Sequence, residues 1–138
     1  MRKETMQLLH EIKSSEGIYC FFHDNQDEIF RESAHDFLLR KLQEKNLKVS
    51  DVINQSENGD YIYKVFAGTR RASRDILISI AFGLELDIED TQMLLRLAGT
   101  ARLDPRNRRD AVTLYVLLKG RNITDLNELL YDMQEELY

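Results

Sequence analysis

Residues 48–75 read KVSDVINQSENGDYIYKVFAGTRRASRD, and the parsing of this stretch decides the fold. Val49, Val52 and Ile53 recur at the spacing of one helix face. Ser50 and Asp51 fall at the end where a helix favours negative charge. This predicts a short helix over residues 49–55. Ser56-Glu57-Asn58-Gly59 is a run of turn formers, and Asp60 is suited to cap a second helix from Tyr61 to Ala67. On that helix Ile62, Val65 and Phe66 share one face, which leaves Tyr61, Tyr63 and Lys64 outward. Gly68 suits a left-handed helix end, where a side chain would clash. Beyond it Ser73 is placed to cap a helix over residues 74–82, whose Ile76, Leu77, Ile80 and Ala81 predict deep burial. The pattern is two short helices joined by a polar turn, leaving through glycine into the basic run Thr69-Arg70-Arg71-Ala72-Ser73-Arg74.

Working outward, Phe37, Leu38 and Leu42 mark an amphipathic helix from Ala34 to Lys45. Downstream, Met93, Leu94 and Leu97 mark another that starts at Asp87 or Ile88 and ends before Ala98-Gly99-Thr100. Asp104-Pro105 is expected to open the next helix, because proline is tolerated in a first turn. A terminal helix starting at Thr124 or Asp125 carries the stripe Leu126, Leu129, Leu130 and Met133. Arg74-Asp75 and Arg109-Asp110 stand 35 residues apart, as do Leu94-Leu95 and Leu129-Leu130, which suggests a partial repeat. At the other end, Met6, Leu8, Leu9 and Ile12 predict a helix over Lys3 to Lys13. Short helices are expected over the apolar run at residues 18–22 and over Asp27 to Ser33. The expected class is all-α. The expected organisation is an N-terminal extension over residues 1–34 packed on a core at 35–99, with a C-terminal helical pair at 100–138 in the same compact unit.

The 138 residues fit one core-forming domain, with 43% apolar and 31% charged content ordinary for a soluble protein. No apolar run approaches the roughly 20 residues that cross a bilayer, and the start lacks a signal peptide's apolar block, so a cytoplasmic location is expected. The single cysteine, Cys20, excludes an internal disulfide framework and is expected to be a core thiol. The net charge of −5 argues against a protein that coats nucleic acid, but its distribution is uneven. Residues 60–74 sum to +3 and residues 1–34 to −3.

The residues resemble a known family. The section from about Phe37 to Gly99 is similar to the five-helix lambda-repressor-like (Xre-type) helix-turn-helix domain. The whole chain resembles a bacterial subgroup with additional helices at both ends. The resemblance rests on residues 61–68 (YIYKVFAG), Ser73-Arg74-Asp75, residues 89–99 (EDTQMLLRLAG), residues 105–111 (PRNRRDA) and residues 127–131 (NELLY). It implies an all-helical fold and a DNA-binding transcriptional regulator that reads duplex DNA as a dimer. Residues 60–67 would be the recognition helix and residues 48–55 the helix crossing above it. Carried onto this chain, the phosphate-binding cations are Lys48, Lys64, Arg70, Arg71 and Arg74. Ser50, Asn58, Tyr61 and Tyr63 are the hydrogen-bonding candidates. The chain departs from the pattern in two places: Ser56-Glu57-Asn58 replaces the usual small residue and apolar residue of the turn, and Glu57 and Asp60 put negative charge where phosphate would approach.

Other clusters have a plain reading beside the functional one. Arg102, Arg106, Arg108 and Arg109 read as an anion or partner site, or as solvated loop charges with one buried arginine bracing the C-terminal pair. Cys20 and His23 are too few for a zinc site, and His10, His23 and His35 form no catalytic pattern, so neither an enzyme nor a cofactor is expected. The terminal leucine stripe reads as core or as a homodimer surface. The alternative to DNA binding is a protein-interaction adaptor that keeps the helix-turn-helix fold, motivated by the acidity and the altered turn.

Overall fold

A computed structural model describes residues 3–30, 32–54 and 58–138, which divide after residue 31 into two compact units. The described residues are all-helical, with no strand among them. The first unit holds α1 (Thr5–Ser14) and α2 (Ile18–Asp24). Its fixed point is polar. The Lys3 ammonium donates to the Glu11 carboxylate and to Asn25 Oδ1, both at 2.7 Å, while buried Asn25 donates to the Phe21 carbonyl at 3.0 Å. Little apolar surface is covered. α1 has no buried residue; Met6 is 73% exposed, and Leu9 and Ile12 are exposed with it. The expectation of a core thiol is overturned, because Cys20 is exposed and its neighbour Phe21 takes the buried position, about 100° further round the helix. The described residues of the expected helix over 27–33 are not helical: residues 25–28 turn, and Ser33 is extended because it caps the next helix.

The second unit runs through α3 (Ala34–Glu44), α4 (Val49–Ile53), α5 (Gly59–Phe66), α6 (Arg74–Gly83), α7 (Ile88–Leu97), α8 (Arg108–Leu118) and α9 (Ile123–Asp132). Five of these starts are fixed by the side chain of the residue just before the helix. Ser33, Ser73, Asp87, Asn107 and Asn122 each accept a hydrogen bond from the amide three residues on, which stabilises a helix by about 1 kcal/mol apiece. Asn107 and Asn122 correct the expected starts. α8 begins at Arg108 rather than at Asp104-Pro105, which instead form a turn closed by the Asn107 amide donating to the Asp104 carbonyl at 2.9 Å. α5 begins at Gly59 with Asn58 before it, so Asp60 lies in the first turn and is not the cap. The earlier start gives the Asn58 carbonyl a partner in the Ile62 amide at 3.0 Å.

α6 occupies the centre, packed by α4, α7 and α9, while α3 packs on α5 and α7, and α8 on α9 and α7. Leu77 through Phe82 are buried in six consecutive positions, the mark of a helix covered all round. Each large apolar side chain so buried contributes about 2 kcal/mol. The terminal stripe belongs to the same core: Leu126 and Leu130 are fully buried, and the partly buried Leu129 and Met133 pack against that core. No helix of the described residues is long and apolar enough to cross a membrane.

At the end of α6 two residues exchange the roles their types suggest. Gly83 lies inside the helix because α4 crosses there; a Cβ on it would stand 2.5 Å from the Val52 carbonyl oxygen. The left-handed turn falls to Glu85, at φ 55°. Gly83→Ala is therefore expected to destabilise the protein by about 2–3 kcal/mol despite alanine's better helix propensity. Glu85→Gly should stabilise it by about 0.5–1 kcal/mol, since a side chain is disfavoured at that backbone angle. Urea unfolding of both variants checks the pair: opposite shifts in midpoint are expected.

Candidate functional site

α5 buries Ile62, Val65 and Phe66, three and four residues apart, and by that geometry leaves Tyr61, Tyr63 and Lys64 exposed. Gly68 ends it at φ 80°. The Gly68 amide donates to the Val65 carbonyl at 3.1 Å and the Thr69 amide to the Lys64 carbonyl at 3.0 Å, a paired closure of the last turn. Three side chains then pin the loop that follows. The Thr69 hydroxyl donates to the Lys64 carbonyl at 3.2 Å, the Tyr61 hydroxyl donates to the Arg71 carbonyl, and His35 Nε2 donates to the Phe66 carbonyl at 2.8 Å. A carbonyl only accepts, so His35 carries its proton on Nε2. The His35 ring also backs Gly68, where a Cβ would meet it at 3.3 Å. Arg70 and Arg71 are presented on this braced loop. Both are exposed, and neither they nor Lys64 meet a carboxylate among the described residues.

The remaining expected site residues fall at different places. Lys48 and Ser50 are exposed at the start of α4, but the Lys48 amide donates to the Asp51 carboxylate at 2.8 Å, so an acid already occupies that helix end. Asn58 is exposed just before α5, and Asp60 is exposed in its first turn. Glu57, the other acid expected to oppose phosphate, lies with Gln55 and Ser56 outside the described residues, as does most of the polar turn.

Arg74 is turned to the fold instead. Its guanidinium grips both oxygens of buried Asp110, at 2.8 and 3.1 Å, and donates to the carbonyls of Ala101 and Arg102. The partial repeat supplies the mirror of this contact. Arg109 grips both oxygens of Asp75 at 2.9 and 3.1 Å, so the two Arg-Asp dipeptides, 35 residues apart, cross-pair between the starts of α6 and α8. Arg109 also lies 3.9 Å from the centre of the Tyr138 ring and donates to the carbonyls of Glu136 and Leu137. Burial works against its charge, but Asp75, Tyr138 and Glu136 outweigh that and hold its pKa above the ordinary arginine value. Burial likewise pushes the Tyr138 phenol up, opposed by its hydrogen bond to Thr113 and by Arg109. Of the second basic cluster, Arg106 pairs with Asp104 and Arg108 with Glu135. With Arg109 bracing the tail, three of that cluster's cations are spent inside the chain.

Sequence reasoning missed His35 and Thr69 as braces. His35 meets its acceptor 31 residues away, which no local spacing signals.

The cations thus separate by experiment. Arg74→Ala leaves a buried carboxylate without its partner and is expected to destabilise the protein by about 3 kcal/mol. Arg70→Ala, at an exposed site, should stay within about 0.5 kcal/mol of the parent. Thermal or chemical unfolding of the two variants, side by side, reads the difference. A scan against protein-family models, a search of curated proteins and a search of solved structures each find no match for this chain.

Proposed function

We propose that the chain is a non-enzymatic DNA-binding regulator of the lambda-repressor-like helix-turn-helix type, with α5 in the recognition position. The observation that carries this reading is the basic loop. Lys64, Arg70 and Arg71 stand exposed on α5 and the braced segment after it, without carboxylate partners among the described residues, while five other arginines each meet an acid. Arginine and lysine held in this way match the phosphate backbone, and Tyr63 beside them has a hydroxyl free to reach a base edge. Further support comes from the packing order: α3 against α5 and α7, α4 against α5 and α6, and α6 against α7 fit a five-helix arrangement around a short helix pair. Arg74 leaves the set of phosphate contacts, because four of its hydrogen bonds are made within the fold.

One observation favours a second reading, the protein-interaction adaptor. In the N-terminal unit Met6 and Tyr19 are 73% and 85% exposed, and Leu9, Ile12, Ile18 and Phe22 are exposed as well. So much apolar surface on a two-helix unit is what a protein partner, a second copy included, would cover.

Selection of bound duplexes from a random pool, followed by fluorescence anisotropy against salt, tests the two. DNA binding through this loop predicts a log–log salt slope of roughly −3 per protomer, one unit for each of three cations. Lys64→Ala with Arg70→Ala should flatten the slope by about 2 and abolish measurable binding at physiological salt, with unfolding nearly unchanged. No retained duplex at low salt would leave the adaptor as the standing reading.

A further inference from the structure

We propose that the cleft beside the basic loop binds a small amphipathic carboxylate, a medium-chain aliphatic or an aromatic acid. The cleft, of 790 Å³, lies between the start of α3, the loop at residues 68–72 and the end of α7. Its size falls in the range of about 300–1,000 Å³ typical of small-ligand sites. Leu38, Val65 and Leu77 stand buried behind its wall, and the half-buried Ala34, Ala72, Leu97 and Ala98 give it an accessible apolar lining. Arg70 and Arg71 line the same space, and no acidic residue does so among the described residues. Two unpaired guanidinium groups beside an apolar surface present two demands at once. An inorganic anion meets only the first, and a neutral apolar molecule only the second. A carboxylate on a hydrocarbon body meets both: its two oxygens match the fork of an arginine, and its body covers the half-buried Ala34, Ala72, Leu97 and Ala98.

The loop is already fixed by His35, Thr69 and Tyr61, so the arginines' backbone needs no reordering when the ligand arrives. The same two arginines serve the duplex in the reading above. Ligand and DNA would then compete for them, and that consequence alone rests on the DNA-binding reading. The site itself stands on the cleft and its charges.

The test is a nuclear magnetic resonance titration of the full chain, without duplex, with octanoate below its micellar range, and with octylammonium and acetate as separate probes. Octanoate is expected to shift the amides of Gly68, Thr69, Ala98, Gly99 and Thr100 saturably, while octylammonium and acetate leave them in place. Arg70→Ala with Arg71→Ala should weaken the octanoate response roughly tenfold or more, the loss of one or two charge-assisted contacts. Ala98→Met, which fills the cleft and keeps both arginines, should remove the response while the remaining amides hold their positions. The proposal is overturned by an absence of saturable shifts with octanoate, by an equal response to octylammonium, or by an octanoate response that both variants retain. Since no DNA is present, none of these outcomes depends on whether the chain binds a duplex.

Discussion

Helix α6 is buried on every side, and the second unit is built to make that possible. A helix with no solvent face has nowhere to leave its terminal amides, its terminal charges or its crossing neighbours unsatisfied. At the start, Ser73 accepts the Ile76 amide, and Arg74 and Asp75 each find an opposite charge at the start of α8. At the end, the bare Gly83 backbone lets α4 approach, and Glu85 turns the chain out. The apolar residues between these ends are then covered by α4, α7 and α9.

This division of labour explains which cations are left for other work. Arg74, Arg109 and Arg108 are drawn into pairs with Asp110, Asp75 and Glu135, and the burial of Asp110 makes the first of these contacts hard to give up. Arg70 and Arg71 escape because the loop carrying them is held by its own backbone: Gly68, Thr69, Tyr61 and His35 bond carbonyls and leave the guanidinium groups unspent. Paired and unpaired charge thus sit within a few residues of each other on one segment, and only their partners tell them apart.

The acidity of the chain is compatible with this picture because charge acts locally when salt screens it beyond about 10 Å. Asp60 is exposed in the first turn of α5, and in the proposed DNA-binding reading it would oppose phosphate and limit the affinity available to the three cations.

Periodicity was enough to determine much of the fold: the helical class, the faces of α3, α5, α6, α7 and α9, the cap at Ser73, and the left-handed glycine at position 68 all follow from residue type at fixed spacing. These are local properties, set within one or two helical turns. The start of α8 was misplaced because Pro105 and Asn107 both carry start signals, and only the hydrogen bond from the Asp110 amide to Asn107 chooses between them. Cys20 was read as a core thiol because its side chain is apolar, yet burial depends on what arrives from elsewhere. The site divides in the same way. Exposure of Tyr61, Tyr63 and Lys64 was legible from the opposite face of α5, whereas the fate of the arginines was not. Arg70, Arg71 and Arg74 are alike in sequence, and an aspartate 36 residues downstream of Arg74 turns that one into structure. Which charges meet is decided by the packing of distant helices, and that is a tertiary fact.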